Sequence, residues 1–345
     1  MKILCLGRLP QDVEDKLTAL GSVRFIDRST ALPEDELIKA LSEIDLLLTE
    51  PQDVVSEKVI AASQLKMIAQ RAVGYDNLDI KALSAANILV SNTPGVLDNA
   101  TADLAFALLL ACTRRIVEAD QYVRAGQWSG FENDLMLGTE ISGKTIGIVG
   151  MGRIGYAMAK RAHGFGMKII YSRSGDETKS IGSTKEVTTD AKDEKLSKEL
   201  GASRVSLRDL LEQSQFISLH CPLNATTTKL IGEKEFALMQ QDCIFVNTAR
   251  GRIVDEEALV KAITSKKLKA AGIDVFFNEP AVPTQLLAAP NVVLAPHIGS
   301  ATNETRHAMA DLAVTGAVKA FAGIEPTNLV NKELFGSWKS KVCLS

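Results

Sequence analysis

Residues 145–160, Thr-Ile-Gly-Ile-Val-Gly-Met-Gly-Arg-Ile-Gly-Tyr-Ala-Met-Ala-Lys, constrain the fold more than any other stretch of this chain. The apolar run 145–149 reads as a buried strand. Residues 154–165, small and apolar, read as a helix, and a second strand-like run follows at 167–171. Gly150, Gly152 and Gly155 fall between and into them at GxGxxG spacing. A strand, glycine turn, helix and strand within about 30 residues is a βαβ unit suited to a dinucleotide. Gly150 permits the tight turn, Gly152 lets backbone approach a pyrophosphate, and Gly155 lets the helix pack close to the strand. The helix N-terminus then offers free N–H groups and a positive dipole end to the phosphates.

The residues ending the second strand choose between dinucleotides. A carboxylate there would hold the ribose 2′-hydroxyl of NAD. This chain has Ser172, Arg173 and Ser174 instead. A guanidinium flanked by two hydroxyls suits a 2′-phosphate, so NADP(H) is favoured over NAD(H).

The rest of the chain repeats the alternation. Runs at 2–6, 23–26, 45–48, 66–69 and 88–90 read as strands, and 9–20, 34–41, 56–62 and 80–85 as helices between them. Continuous apolar strands alternating with helices predict parallel sheets covered on both faces. One long helix is predicted over 100–125, a loop over 130–142, and a second alternating series over 144–298. A final helix is predicted over 302–322, then an irregular tail. The polar stretch 174–198 breaks the rhythm and reads as an exposed insertion between a strand and a helix. The expected architecture is α/β, with two doubly wound parallel-sheet domains, as 345 residues allow.

Composition excludes several classes. A net charge of −3 leaves no basic footprint for nucleic acid or an anionic membrane surface. The longest apolar stretch, 104–112, is far short of a membrane span. Five scattered cysteines without a CxxC pair suggest neither disulfides nor a metal site, and a reducing cytoplasm is expected.

Hydride transfer to a carbonyl beside a dinucleotide needs a proton donor, and an anionic substrate needs a cation to hold it. Of four histidines, His220 and His297 follow strand-like runs, where ligands of such folds sit; His163 and His307 fall within helices. Arg250 lies on the turn after another strand run, and Glu279 beyond a further one. A carboxylate beside an imidazole orients it and favours its protonated form.

Several segments together resemble the D-isomer-specific 2-hydroxyacid dehydrogenase family. They are Val73-Gly-Tyr-Asp-Asn-Leu-Asp, Asn92-Thr-Pro-Gly-Val-Leu, Val149-Gly-Met-Gly-Arg-Ile-Gly, Asn247-Thr-Ala-Arg-Gly, Ala271-Gly-Ile-Asp-Val-Phe, Asn278-Glu-Pro and Pro296-His-Ile-Gly-Ser-Ala-Thr. The pattern is most similar to the glyoxylate, hydroxypyruvate and 2-ketogluconate reductases of that family. The resemblance implies a Rossmann cofactor domain, 100–299, inserted into a flavodoxin-like substrate domain of 1–99 plus 300–345. It implies His297 as acid/base, Glu279 as its support, and Arg250 on the substrate carboxylate and oxo group. Backbone N–H groups of Val73 and Gly74 would also bind the carboxylate. Thr101, Gly152, Arg153, Ile154, Ser172, Arg173, Cys221, Pro222, Thr227, Thr248, Asp274 and Gly299 would line the cofactor, with Asp274 facing the nicotinamide carboxamide and His220 beside the adenosine. It further implies a homodimer formed partly by the 100–125 stretch. Two other readings remain: a dinucleotide-sensing corepressor that binds peptide partners, and an NAD-dependent dehydrogenase working in the oxidative direction.

Overall fold

The computed structural model describes residues 1–28, 30–173 and 189–342. They divide into two compact units, Met1–Leu97 with Ser300–Ser345, and Asp98–Gly299. The first unit opens with β1 (Lys2–Leu6), α1 (Gln11–Thr18), β2 (Ser22–Ile26), α2 (Glu34–Ala40), β3 (Leu46–Thr49), α3 (Glu57–Ala61), β4 (Met67–Gln70), α4 (Ile80–Ala85) and β5 (Leu89–Ser91). The strands pair in the order β2-β1-β3-β4-β5, and every ladder is parallel. β3 and β4 are buried at every position, as a sheet with two covered faces requires. Ser56 and Asp79 start α3 and α4 by accepting the Val59 and Ala82 amides, satisfying first-turn donors.

The second unit contains α5 (Asp98–Arg114), α6 (Ile116–Arg124), β6 (Thr145–Val149), α7 (Arg153–Gly164), β7 (Lys168–Ser172), α8 (Ala191–Leu200), β8 (Ser203–Arg204), α9 (Leu207–Gln213), β9 (Phe216–Leu219), α10 (Glu233–Leu238), β10 (Cys243–Asn247), α11 (Glu256–Thr264), β11 (Leu268–Ile273), α12 (Thr284–Ala288) and β12 (Val292–Leu294). Its seven strands run parallel in the order β12-β11-β10-β9-β6-β7-β8. α5 and α7 cover one face, packing Ala105, Leu109, Met158 and Ala162 with Ile146, Ile148 and Val246. α9 to α12 cover the other with Leu210, Phe236, Leu259 and Leu286. Strand order reverses between β6 and β9, the switch point where doubly wound sheets take ligands.

Two expectations need correction here. The single helix over 100–125 is two, because Arg115 takes a left-handed conformation, φ 55°, between α5 and α6. The insertion read over 174–198 does not run that far: residues 191–200 form α8. Asp190 caps it reciprocally with Asp193, and Leu196 and Leu200 are buried in the core. The helix has few apolar residues because only a narrow stripe faces the sheet. Residues 174–188, Ser174 among them, lie outside the described residues.

The chain then returns to the first unit with α13 (Asn303–Phe321) and α14 (Phe335–Val342). Ala310, Ala313, Val314 and Ala317 of α13 pack with Ile3, Leu46, Leu48 and Met67, while Leu37, Val59 and Leu83 from α2 to α4 fill a second core. The tail expected to be irregular thus holds a helix. Trp338 anchors it, wholly buried, with its indole N–H donating to the Lys66 carbonyl at 2.7 Å. Eight residues containing Gly336 and two serines gave too short a periodic signal to read. Among the described residues no helix is long and apolar enough to cross a membrane.

Candidate active site

The glycine turn after β6 has the geometry its spacing predicts. Gly150 sits at φ +97°, and a Cβ there would lie 2.6 Å from the Cys221 backbone nitrogen, so the turn closes directly onto the end of β9. A Cβ on Gly155 would lie 2.1 Å from the Gly150 carbonyl, whereas one on Gly152 meets nothing within 4 Å. The open space is therefore at the residue that starts α7. Gly152 brings no side chain to cap that helix, leaving first-turn N–H groups such as those of Arg153 and Ile154 for an anion.

Beyond β10 and β11 a second cluster forms. The buried Asn247 side chain accepts from the Ala249 N–H and donates to the Arg250 carbonyl, each at 3.0 Å, shaping the turn that carries Arg250. Gly251 packs that turn against the loop after β11: a Cβ would fall 2.0 Å from the Phe276 backbone. The same loop brings Glu279, whose Oε1 accepts from the Phe276 N–H at 3.0 Å. Its Oε2 lies 2.7 Å from His297 Nδ1. Burial pushes the Glu279 carboxyl up, but the His297 hydrogen bond and charge, the Phe276 N–H and Arg250 hold it below the usual carboxylate range.

His297 takes a left-handed backbone conformation, φ 55°, uncommon for a side-chain-bearing residue and consistent with a turn fixed from outside. Asp274 fixes it. Fully buried, its carbonyl accepts the His297 N–H at 2.8 Å, and its carboxylate accepts the Ile298 and Gly299 N–H groups at 2.7 and 2.9 Å. A Cβ on Gly299 would sit 3.3 Å from that carboxylate and 3.4 Å from Thr101, so these three predicted residues converge.

The other sequence candidates fall in several places. His220 directly follows β9, its Nε2 2.8 Å from the Ser218 hydroxyl, and burial pushes its pKa down to about 4. His163 and His307 are exposed, the latter on Asp12 at 2.9 Å. Cys221 is buried, and Thr227 ties the following loop by donating to the Pro222 carbonyl at 2.6 Å. Ser172 is buried at the end of β7. Arg173 beyond it pairs with Asp190 and Asp193, each at 2.8 Å.

In the first unit the peptide groups of Val73 and Gly74 follow β4. Asn92 donates to the Val73 carbonyl at 2.8 Å, and Gln70 to the Gly74 carbonyl at 3.1 Å. Asn77 spans Gln70 and the Asp53 carbonyl, and Arg71 donates to the Leu6 and Arg8 carbonyls and pairs with Glu50. Sequence reading names the two amides, gives Asn77 and Asn92 only as parts of motifs without a role, and does not name Gln70 or Arg71 as site residues. The available signal was their place at or just past strand ends, where buried polar residues are seldom packing residues. Also missed was Lys192, whose ammonium donates to the Met151 carbonyl of the glycine turn at 3.2 Å.

The second unit fits a nicotinamide dinucleotide: the space at Gly152, the uncapped start of α7 and the buried Thr248 hydroxyl, without a partner among the described residues, all occur at strand ends. These features define a dinucleotide-binding protein with an imidazole–carboxylate pair on the same sheet. Residues 106–299 match the D-isomer specific 2-hydroxyacid dehydrogenase NAD binding domain. A glyoxylate reductase of Thermococcus litoralis is 44% identical over 342 residues, 97% of this chain and 98% of the relative. A solved protein of Thermus thermophilus aligns at TM-score 0.85 and 39% identity, covering 96% of this chain and 100% of the other. An NADPH-dependent glyoxylate/hydroxypyruvate reductase of Sinorhizobium meliloti, solved with NADP and malonate, aligns at TM-score 0.81 and 30% identity, covering 96% and 97%. The chain belongs to the D-isomer specific 2-hydroxyacid dehydrogenase family and is an oxidoreductase.

Proposed function

We propose that this enzyme reduces a small 2-oxo acid, of the glyoxylate, hydroxypyruvate or 2-ketogluconate type, to the D-2-hydroxy acid, with NADPH preferred to NADH. The observation that carries the catalytic assignment is the 2.7 Å contact between His297 Nδ1 and Glu279 Oε2 beside the Arg250 turn. The nicotinamide supplies the hydride when bound. With Nδ1 engaged by Glu279, Nε2 is the ring atom left to deliver a proton to the substrate oxo oxygen. Glu279 holds the ring and stabilises its protonated form. The Arg250 guanidinium holds the carboxylate and polarises the oxo group. In the first unit, the N–H groups of Val73 and Gly74 would bind a carboxylate: Asn92, on the Val73 carbonyl, sets the peptide that carries the Gly74 N–H, and the Thr93 N–H, on the Ala72 carbonyl, sets the one that carries the Val73 N–H. His220, held neutral by burial, suits a supporting role rather than that of the acid.

The glycine turn would hold the pyrophosphate, with Thr101, Cys221, Pro222, Thr227, Thr248, Asp274 and Gly299 around the remainder. Arg173 and Ser172 would meet the 2′-phosphate, a reading supported by the related reductase solved with NADP. Exposed Ile116, Val123, Trp128 and Phe131 on and after α6 support a homodimer, since single exposed apolars are ordinary but a run of them is not. Sedimentation would give a monomer if that reading is wrong. Four buried free thiols, Cys5, Cys112, Cys221 and Cys243, fit a cytoplasmic setting, and the acidic net charge fits no nucleic-acid partner.

Initial rates of NADPH and NADH oxidation with glyoxylate, hydroxypyruvate and 2-ketogluconate test the proposal. Turnover with at least one acid, faster with NADPH, is expected. Dinucleotide binding without turnover on any of them would overturn it.

A further inference from the structure

Arg173, the residue assigned to the 2′-phosphate, is already neutralised before any ligand arrives. Its Nη1 pairs with Asp190 Oδ2 and its Nη2 with Asp193 Oδ1, each at 2.8 Å. Arg204 joins the cluster through Asp193 Oδ2 at 3.2 Å. Two guanidinium and two carboxylate groups therefore balance among the described residues.

The two carboxylates differ in how firmly they are held. The Asp193 side chain is 3% exposed. It accepts the Tyr171 hydroxyl at 2.6 Å and the Asp190 N–H at 2.9 Å as well as both arginines. Burial raises its pKa, but the Tyr171 hydroxyl, the Asp190 amide and the two arginines outweigh that and hold it low. Asp193 is thus a fixed part of the α8 start. The Asp190 side chain is 55% exposed and divides its oxygens between two tasks. Oδ1 caps α8 by accepting the Lys192 and Asp193 N–H groups at 2.9 and 3.0 Å, while Oδ2 meets only Arg173 among the described residues. The Arg173 contact can be given up without uncapping the helix.

We propose that Asp190 is a specificity-determining residue, an exchangeable carboxylate that occupies Arg173 and must yield it to the 2′-phosphate of NADPH. The proposal rests on the reading that Arg173 binds that phosphate. A phosphate monoester brings roughly −1.5 to −2 charges at neutral pH. Entering a balanced cluster, it gains from Arg173 only what it takes from Asp190, so the chain discriminates against NADH less than an unpaired arginine would. The residue next to the glycine-rich βαβ unit sets the direction of preference, and the cap of α8 sets its size.

Asp190→Asn separates the two tasks. Asparagine caps as well as aspartate, so α8 keeps its N-terminus. Its Oδ1 can stay on the amides while the amide nitrogen, a donor, faces Arg173 and cannot hold it. Dissociation constants of adenosine 2′,5′-bisphosphate and of ADP are measured by calorimetry on wild-type and Asp190→Asn protein with matched melting temperatures. The variant is expected to bind adenosine 2′,5′-bisphosphate about two- to fivefold more tightly, the scale of a solvent-exposed ion pair, with ADP unchanged. Equal affinity of both proteins for adenosine 2′,5′-bisphosphate, or tightening of ADP to the same degree, overturns the role of Asp190 and leaves the NADPH reading standing. Wild-type protein that binds adenosine 2′,5′-bisphosphate no better than ADP, unchanged by Arg173→Ala, overturns the NADPH reading itself.

Discussion

The seven-stranded sheet treats its two flanks differently. On the β10–β12 side, polar groups are held by contacts that leave no alternative. Gly251 lies where a Cβ would meet the Phe276 backbone at 2.0 Å, Asp274 accepts three N–H groups of the His297 turn, and His297 is bent to φ 55°. On the β7–β8 side, Arg173 rests in ion pairs, one of them to an Asp190 side chain that is 55% exposed. The first arrangement suits proton transfer, where a small misplacement is costly. The second suits recognition, where one partner can replace another at little expense. The difference teaches that two sets of charged residues on one sheet are suited to distinct ends by the stiffness of their attachment rather than by their charge.

Substitutions that separate rate from affinity would test this contrast. The largest effect is expected from His297→Ala, which removes the proposed proton donor and should lower kcat by a factor on the order of 10² to 10⁴ with either dinucleotide. Retained turnover in steady-state assays would take His297 out of the mechanism. Next comes Gly251→Ala. The added methyl must displace the Phe276 backbone, which should lower stability by about 1–3 kcal/mol and shift Glu279 with it. Chemical denaturation gives the stability and kcat the shift. A variant as stable and active as wild type would show that the turn is not fixed by close approach.

On the opposite flank Arg173→Ala should leave kcat alone. Charge-assisted bonds to a phosphate are lost, so KM for NADPH should rise on the order of tenfold while KM for NADH stays. If both KM values rose together, Arg173 would be supporting the fold through Asp193 instead of reading the 2′-phosphate.

Much of the stiff flank was legible in the sequence, and little of the exchangeable one. Arg250, Glu279 and His297 are legible as strand-end candidates on that flank, and at the β6 turn Gly150 and Gly155 carry the steric reason their spacing implied, while a Cβ on Gly152 would meet nothing. The His297–Glu279 contact spans 18 positions, and the shared strand-end setting together with the family resemblance makes it readable. α8 escaped because its apolar stripe is narrow and its cap, Asp190, sits inside a polar run that resembles an exposed loop. α14 escaped because its burial rests on two side chains, Phe335 and Trp338, and one distant carbonyl, that of Lys66. Gln70 and Asn92 escaped for a related reason. A side-chain amide aimed at a loop carbonyl leaves no periodic trace: that of Gln70 reaches the loop after its own strand, and the partner of Asn92 is fixed only by which strands become neighbours, here β4 and β5.

The smallest expected effect sharpens the comparison most, because it asks whether Glu279 contributes charge or only position. Its carboxyl is pushed up by burial yet held below its ordinary range, chiefly by the His297 hydrogen bond and charge. The two contacts use different oxygens, Oε2 on Nδ1 and Oε1 on the Phe276 N–H. Glu279→Gln removes the negative charge and keeps one acceptor oxygen, so one of those contacts is lost with it. Wild-type Glu279 gives up its charge only as pH falls below the ordinary carboxylate range. An acid limb of the kcat/KM profile should therefore be present there in the wild type and absent from the variant, whose plateau should lie lower by about two- to tenfold. A variant that keeps the same acid limb on a lowered plateau would mean that Glu279 holds the ring in place without contributing its charge. The stiff flank would then act through geometry alone.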